Sequence, residues 1–287
     1  MKSFLYLLLP LWLAASQISV QVLGSGGPET GERASASYLI KKDNRALIMI
    51  DLGGGAFLRF GQSKANIVDL EAVLLTHLHI DHVVDLPALM KAGYFSQRRR
   101  SLPIIGPGEN EHFPGIREFT ELQFGEHGAY RYMSDILGDH SDSFSILPYE
   151  VTKKKELNIQ GIKITALPVH HGILPALAYK VEIEGRVIVF SGDTTARSKS
   201  LEELSKDADI LIAHHAIPQE GYPAARALHM TPKRIAEVAS LANPRILLLS
   251  HRMKRTYGSE EQSNQIIQKV YQGELIWAED LMEITLP

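Results

Sequence analysis

The chain has 287 residues, 45% of them hydrophobic, so it can bury a full core, and no break in composition marks a domain boundary. It contains no cysteine, which excludes disulfide bonds, a lipoprotein anchor and thiolate metal ligation, so histidine and carboxylate side chains must hold any metal ion. The formal net charge of -3 provides no general attraction for nucleic acid, and we interpret the basic cluster at residues 98–100 as a solvated face.

The N-terminal segment has the layout of a secretory signal peptide. Lys2 supplies a positive charge, residues 4–15 form an apolar run too short to span a bilayer stably, and residues 14–16 are small, as a cleavage site requires. We therefore predict a signal peptide over residues 1–16 and a mature domain over residues 17–287, periplasmic or secreted, with no stable membrane anchor after cleavage. An uncleaved anchor, or an N-terminal helix in a cytosolic protein, is the alternative.

The first part of the mature chain predicts strands that form hairpins. Residues 18–23 alternate and run into a glycine-rich loop. Residues 37–41 and 46–50 are predicted to pair through a turn at Asp43 and Asn44.

A helix and an insertion follow. Residues 83–96 have helical spacing. Residues 109–144 have poor periodicity, and we interpret them as an insertion over the active-site side of the domain, partly helical around residues 116–122 and 130–137.

The second half of the chain predicts short strands that first form hairpins and then alternate with helices. The predicted helices are residues 231–241 and 260–271. The predicted strands are residues 145–151, 156–159, 163–167, 177–183, 186–190, 210–213, 245–249, 274–277 and 281–285. This order favours the α/β class and an αββα sandwich, in which two mixed β-sheets are flanked by helices.

Three histidines and an aspartate lie within six residues directly after the apolar run 72–75, which is predicted as a buried strand. Alternation of the backbone places His77, His79 and Asp81 on one side and points His82 elsewhere, so one turn can serve two metal ions. A polar loop with incidental histidines is the alternative, but with twelve histidines in the chain such a cluster is improbable by chance. The segment therefore predicts a metal site at the carboxyl end of a strand.

Further metal-binding residue types follow three later predicted strands. They are His170 or His171, then Asp193, and finally His251. A carboxylate has two oxygens and can bridge two cations, which histidine cannot do, so Asp193 is the candidate for a bridge.

The pattern His-x-His-x-Asp-His behind an apolar strand resembles the signature of the metallo-β-lactamase superfamily, and the later histidines with the Gly-Asp-Thr turn resemble its ribonuclease Z-like and arylsulfatase-like branch. The resemblance covers nearly all of the mature chain and implies an αββα sandwich around one or two metal ions, usually zinc. We expect two Zn²⁺ ions, with Mn²⁺ or Fe as alternatives. The ligands implied are, for the first metal, His77, His79 and His171, for the second metal, Asp81, His82 and His251, and, as a bridge between them, Asp193.

The resemblance also implies roles beside the ligands. Asp51, in an Asp-x-Gly turn after a strand, is expected to accept a hydrogen bond from a ligand histidine, with a plain turn residue as the alternative. His229, just before a predicted helix, matches a histidine thought to assist the leaving group as an acid, and a loop histidine without a catalytic part is the alternative. We assign Asp81 and His229 as catalytic, interpret His215 as a partner of a ligand, and interpret His214 as structural.

The activity implied is that of an exported hydrolase in which a metal-bridging hydroxide attacks a phosphodiester or sulfate ester of a small-molecule substrate. Only 22 positions separate His171 from Asp193, which leaves no room for the long arm that grips tRNA in ribonuclease Z, so tRNA is disfavoured as a partner. A homodimer is compatible with the resemblance.

Two other functions stay open. One is a lactonase or β-lactamase-like hydrolase on the same fold, although Asp193 stands where a true β-lactamase usually has cysteine or serine. The other is a catalytically silent metal-binding protein, and the seven filled ligand positions argue against it.

Overall fold

A computed structural model describes residues 16–138 and 143–287 of the chain. The signal peptide predicted over residues 1–16 lies, apart from Ser16, outside the described residues. Within these ranges no helix combines the length and the apolar character needed to cross a bilayer.

The first sheet of the described chain has the strand order β14-β1-β2-β3-β4-β5-β6. Its strands are β1 (Ile18–Gly24), β2 (Ser37–Lys42), β3 (Arg45–Ile50), β4 (Ala72–Leu74), β5 (Leu102–Pro107), β6 (Ile146–Val151) and β14 (Glu283–Leu286). Neighbours from β14 to β3 are antiparallel, and neighbours from β3 to β6 are parallel. The β2–β3 hairpin turns at Asp43 and Asn44, both with positive φ, as predicted.

The second sheet repeats this mixed pattern with the order β13-β12-β11-β10-β9-β8-β7. Its strands are β7 (Lys155–Ile159), β8 (Ile162–His171), β9 (Leu174–Ile183), β10 (Arg186–Phe190), β11 (Ile210–His214), β12 (Ile246–Ser250) and β13 (Glu274–Trp277). The strands from β7 to β10 form antiparallel pairs, and those from β10 to β13 form parallel pairs.

Helices cover the outer faces of both sheets. The α-helices of the described residues are α1 (Ala56–Gln62), α2 (Ile80–Val83), α3 (Leu86–Tyr94), α4 (Ile116–Phe124), α5 (Ser200–Leu204), α6 (Pro223–Arg226), α7 (Pro232–Ala242) and α8 (Glu260–Gln268). Two 3-10 helices span Arg131–Leu137 and Lys254–Thr256. The sequence analysis missed α1, α5 and α6, which have seven residues or fewer and so show too little periodicity to detect.

The core confirms the predicted αββα sandwich. Strand residues such as Tyr38 and Ile48 of the first sheet and Val181 and Ile212 of the second belong to one buried cluster between the sheets. A second buried cluster joins the other face of the first sheet to α3, and a third joins the other face of the second sheet to α7. Alternation along each strand therefore supplies an inner and an outer apolar face at once.

The helix predicted over residues 83–96 is wrong at its start, because the structure has two helices there, α2 and α3. Between the two helices, the backbone N–H of Asp85 donates to the carbonyl of Leu52 at 3.0 Å. This hydrogen bond holds the chain against the loop that follows β3. Oδ2 of Asp85 also accepts from the backbone N–H of Phe57 at 2.9 Å. The break places α2, with Asp81 and His82, beside the end of β3.

The described part of the segment at residues 109–144 packs largely on the outer face of the first sheet. Phe124 of α4 and Ile136 of the first 3-10 helix belong to the same buried cluster as Leu89 of α3. Its beginning lies nearer the second sheet, because Nδ2 of Asn110 donates to the carbonyl of Ile173 at 2.8 Å.

The interpretation of residues 98–100 as a solvated face is wrong for Arg98. Its side chain is 1% exposed, and its guanidinium donates to the carbonyls of Ile67, Leu70 and Ser101 at 2.7 to 2.9 Å. Arg99 and Arg100 are exposed, in agreement with the interpretation. Sequence periodicity could not separate the three, because two of the carbonyls that Arg98 satisfies, those of Ile67 and Leu70, belong to a loop about thirty positions away.

Candidate metal centre

The site lies where parallel strands of both sheets end. His77 follows β4, His171 ends β8, Asp193 follows β10 and His251 follows β12, while α2 contributes Asp81 and His82. The carboxyl ends of parallel strands share one edge of their sheet, so short loops are enough to bring these side chains together.

Three backbone positions at these strand ends have left-handed conformations. Asp51 and His251 have φ of 54° and 55°, and Gly192 has φ of 56°. A Cβ atom on Gly192 would lie 2.7 Å from the carbonyl oxygen of Leu177, so the turn that presents Asp193 has room for glycine only. Conformations that cost free energy at non-glycine residues are concentrated at functional sites, and here they aim side chains at one point.

One group of ring nitrogens comes from His77, His79 and His171. Nε2 of His77 lies 3.0 Å from Nδ1 of His79, and Nε2 of His171 lies 3.3 Å from the same atom. His77 and His171 are buried. Three imidazole lone pairs directed at one point cannot all be satisfied by each other, whereas a cation satisfies all three.

Hydrogen bonds on the far side of two rings define which nitrogen is free. Nδ1 of His171 lies 2.9 Å from the carbonyl of Leu228, which only accepts, so Nδ1 carries the proton. Oγ1 of Thr76 donates to Asp51 at 2.8 Å and therefore accepts from Nδ1 of His77 at 3.1 Å. Nε2 is then unprotonated in both rings, which is the form that ligates metals.

A second group consists of Asp81, His82 and His251. Nε2 of His251 lies 3.2 Å from Oδ2 of Asp81 and 3.2 Å from Nε2 of His82. Nδ1 of His82 lies 2.7 Å from Oδ2 of Asp51, which is completely buried. The expectation that Asp51 accepts from one of the candidate ligand histidines agrees with this contact. The atoms within each group lie within 4.8 Å of one another.

Asp193 lies between the two groups. Its Oδ2 is 3.9 Å from Nε2 of His77 and 3.9 Å from Nε2 of His171, and it is 3.8 Å and 3.6 Å from Nε2 of His82 and His251. One oxygen atom is therefore at nearly equal distance from nitrogens of both groups, as a bridging ligand must be. The structure brings together all seven residues that the sequence analysis named as ligands.

The carboxylates of the site are held in their ionised form. Burial raises the pKa of Asp193, but His251 and His229 outweigh burial and hold this pKa well below its usual value. Burial likewise raises the pKa of Asp81, but a hydrogen bond from His251 and the charge of His82 lower it to about 2. Buried anions among imidazoles provide the charge that divalent cations require.

The interpretation of His214 and His215 is reversed by the structure. Nδ1 of His214 lies 2.7 Å from Oδ1 of Asp193, so the residue called structural touches the centre of the site. His215 points to the other side of the sheet, where its Nε2 lies 2.9 Å from Oγ of Ser263 and its ring packs on Trp277.

Strand alternation in the sequence could have shown that His214 and His215 point to opposite faces of the sheet, but not which of the two faces the site. Ile210 and Ile212 of β11 belong to the cluster between the sheets, whereas Leu211 and Ala213 belong to the outer cluster. The same period of two carries His214 to the inner face and His215 to the outer one.

His171, and not His170, belongs to the site. Nδ1 of His170 lies 3.2 Å from Oγ1 of Thr195, and the backbone carbonyl of His170 accepts from the N–H of Thr195 at 3.0 Å. The expectation that favoured His171 agrees with this geometry, because neighbouring residues of β8 point to opposite faces.

His229 stands at the edge of the site. It precedes α7, whose first turn is capped by Oγ1 of Thr231, and its buried Nδ1 lies 3.6 Å from Oδ2 of Asp193 without a hydrogen-bond partner among the described residues. Burial lowers the pKa of His229 to about 3, although Asp193 opposes the shift, so the ring is neutral at neutral pH.

Arg255 carries a positive charge close to His229. Its charge contributes to the lowered pKa of His229. The guanidinium donates to the carbonyl of Ala216 at 2.7 Å and to the hydroxyl of Tyr222 at 3.0 Å. Its Nη2 also donates to Sδ of Met253 at 2.9 Å, and among residues 16–138 and 143–287 no carboxylate forms an ion pair with it.

The fold and the two ligand groups define a metal-dependent hydrolase with a binuclear metal site. The chain belongs to the family described as the beta-lactamase superfamily domain, whose model matches residues 49–252. It is a metallo-β-lactamase superfamily hydrolase that acts on ester bonds and resembles ribonuclease Z.

Comparisons with known proteins agree over almost the full length. A ribonuclease Z of Mycobacterium bovis (strain BCG / Pasteur 1173P2) is 28% identical over 287 residues, with 93% of this chain and 98% of the relative covered. The metallo-β-lactamase fold protein YhfI of Bacillus subtilis superposes with a TM-score of 0.74 at 20% identity, over 94% of this chain and 99% of that one. Human tRNase Z, short form, superposes with a TM-score of 0.72 at 21% identity, over 94% and 99%. At these identities the solved structures establish the fold alone.

Proposed function

We propose that this protein hydrolyses small phosphodiesters with a binuclear zinc centre. The ligands proposed are, for one ion, His77, His79 and His171, for the other, Asp81, His82 and His251, and, as the bridge, Asp193. The observation that carries the proposal is the position of Oδ2 of Asp193, 3.6 to 3.9 Å from ring nitrogens of both groups. A ligand set of imidazoles and carboxylates suits zinc, and manganese or iron fits the same set.

When bound, two such ions lower the pKa of a shared water and stabilise negative charge that develops on the substrate. The residues of the chain prepare this chemistry. Asp51 and Leu228 fix the tautomers of His82 and His171 with hydrogen bonds of 2.7 and 2.9 Å. Asp81 contacts Nε2 of His251 and adds negative charge to its own group.

His229 is proposed as the residue that contacts the leaving group. Its Nδ1 lies on the Asp193 side of the ring, close to both ligand groups, and has no described partner. A buried neutral imidazole offers one N–H, which can donate to the oxygen that departs from phosphorus.

An anionic substrate fits the charges at the rim of the site. Arg255 presents a guanidinium without a described carboxylate partner, which supports a phosphodiester over a neutral lactone. The names of the ribonuclease Z relatives also support a phosphodiester.

A small substrate is supported by the connection between His171 and Asp193. In this stretch β9 and β10 form a hairpin that turns at Glu184 and Gly185, both with positive φ. The connection therefore contains no arm that could reach along a tRNA.

The test is a panel of kcat/KM values for the purified mature protein loaded with zinc. The panel contains an aryl phosphodiester, an aryl sulfate, a lactone, a cephalosporin and a precursor tRNA, and the Asp193→Ala variant is the control. We expect the phosphodiester to be the best small substrate and its hydrolysis to disappear in the variant. Faster cleavage of the precursor tRNA would refute the small substrate, and faster turnover of the lactone or cephalosporin would refute the reaction class.

We also propose that the mature protein is exported and begins near Gln17. This boundary is supported by the position of Gln17, whose backbone N–H donates to Oδ1 of Asp43 at 2.9 Å directly before β1. Mass spectrometry of the protein from an exporting host should give an N-terminus near Gln17. An intact Met1 on the soluble protein would contradict export.

A further inference from the structure

We propose that His214 is a positioning residue that turns Asp193 toward both metal ions, and that Tyr38 and Ser250 hold His214 in place. The inference rests on the proposed function, in which Asp193 is the bridging ligand. It concerns a residue that the ligand set does not include.

His214 binds one particular oxygen of the carboxylate. Its Nδ1 lies 2.7 Å from Oδ1 of Asp193, whereas Oδ2 of Asp193 faces the ring nitrogens of the two ligand groups. A carboxylate only accepts, so Nδ1 of His214 carries the proton and donates. Occupation of Oδ1 fixes the rotation of the carboxylate and leaves Oδ2 directed between the groups.

The other ring nitrogen of His214 is occupied as well. The hydroxyl of Tyr38 lies 3.2 Å from Nε2 of His214 and 2.7 Å from Oγ of Ser250. Both nitrogens of His214 thus have partners outside the two ligand groups, whereas each ligand histidine directs one nitrogen, Nδ1 in His79 and Nε2 in the others, at its own group. Asp193, His214 and His251 lie close enough together to hold an ion, but Nδ1 of His214 carries a proton that it donates to Asp193, so His214 acts through Asp193.

The chain of contacts crosses the sandwich. Tyr38 belongs to β2 of the first sheet, whereas His214 and Ser250 are directly paired residues of β11 and β12 in the second. All three side chains are at most 2% exposed, and the ring of Tyr38 packs on Phe190, 5.4 Å between centroids. Buried hydrogen-bond networks of this kind are rigid when every member has a partner. The position of Asp193 is consequently fixed relative to both sheets, and both sheets supply residues to the two ligand groups.

The experiment compares two substitutions that keep different halves of the imidazole. The amide nitrogen of His214→Asn replaces Nδ1 and can still donate to Asp193, whereas that of His214→Gln replaces Nε2 and reaches toward Tyr38. Zinc binding to each full-length variant is measured by competition with a chromophoric chelator. We expect the affinity of His214→Gln for the more weakly held ion to be at least about tenfold lower than that of the wild type. The affinity of His214→Asn should be close to that of the wild type.

Tyr38→Phe is a second variant, since it removes one oxygen that touches no ligand. We expect Tyr38→Phe to lower the affinity for the same, more weakly held ion, as His214→Gln does. Cobalt-substituted Tyr38→Phe should also show altered d–d absorption bands. The variant also carries the test if His214→Gln does not fold. Equal zinc affinity in the wild type, His214→Gln and Tyr38→Phe, or an equal loss in His214→Asn and His214→Gln, would overturn the role of His214. A wild type that binds fewer than two ions would instead overturn the proposed centre.

Discussion

Nδ1 of His82 lies 2.7 Å from Oδ2 of Asp51, and both side chains are completely buried. The contact joins α2 to the end of β3, and the same carboxylate accepts from the backbone N–H and the hydroxyl of Thr76 at 2.7 and 2.8 Å. One aspartate thus orients the two stretches of chain that carry His77 and His82.

This pair predicts a proton-linked metal affinity. Burial lowers the pKa of His82, but the charges of Asp51, Asp193 and Asp81 outweigh burial and raise the pKa in the metal-free protein to about 9. A metal ion that binds Nε2 must displace a proton, so zinc loading at neutral pH should release protons into a weakly buffered solution. Asp51→Asn should release fewer protons on zinc binding. An apparent zinc affinity of the wild type that does not change between pH 6.5 and 9 would contradict the proton linkage.

The same shift determines how the stability of the metal-free protein depends on pH. The folded-state pKa of His82, about 9, lies above the unfolded value of 6.5. The contribution of protonated His82 to the free energy of unfolding is therefore complete below pH 6.5 and is lost as the pH rises through about 9. Urea unfolding of the metal-free protein at pH 6 and pH 9.5 should show the decrease, and Asp51→Asn should diminish it.

Removal of the proposed bridge should cost one ion. We expect elemental analysis to find close to two transition-metal ions per wild-type chain and Asp193→Ala to lose most of one, because the remaining ligands form two separate groups. Asp209→Ala is a matched control, since Asp209 pairs with Arg186 and Arg245 and contacts no residue of the site. Two ions retained by Asp193→Ala would contradict the bridge.

His229→Ala should separate catalysis from metal binding. The variant should keep its full metal content, while turnover of a phosphodiester falls about a hundredfold, because the departing oxygen loses its hydrogen-bond donor. The loss should be smaller for a nitrophenyl ester than for an alkyl ester, because nitrophenolate needs little help to depart. His170→Ala should retain wild-type turnover, since His170 contacts Thr195 instead. Equal losses on both esters would indicate oxyanion stabilisation, and lost metal would make His229 a ligand.

The buried Arg98 side chain should contribute to the free energy of unfolding without contacting the candidate metal centre. Arg98→Ala leaves the carbonyls of Ile67 and Ser101 without the donor that Arg98 provides, while that of Leu70 keeps a hydrogen bond from Arg100 at 3.3 Å. The loss should lower the free energy of unfolding by about 3 kcal/mol. Arg99→Ala is the control and should change it by less than about 0.5 kcal/mol, because Arg99 is exposed. Similar urea midpoints for both variants would show that the buried contacts of Arg98 carry no net stabilisation.

The sequence alone was sufficient for the architecture and for the candidate ligands. Apolar runs with a period of two, followed by alternation with helices, predict two mixed sheets, and the strand ends mark the positions of His77, of His170 or His171, of Asp193 and of His251. The resemblance to the metallo-β-lactamase superfamily favoured His171. Such signals are local: a strand and the residue behind it are adjacent in the chain, so their relation does not depend on the rest of the fold. The short helices α1, α5 and α6 carry too few residues for the same signal.

Only the tertiary structure decided which side chains support the site. His214 and His215 are alike in sequence, yet the direction of β11 within the second sheet sends one to Asp193 and the other to Ser263. Arg98 is likewise buried although its two arginine neighbours are exposed, because its guanidinium is enclosed by a distant loop whose carbonyls it meets at Ile67 and Leu70. Contacts between residues far apart in the chain depend on how the sheets pack, and this information is distributed over the whole core and absent from any local pattern.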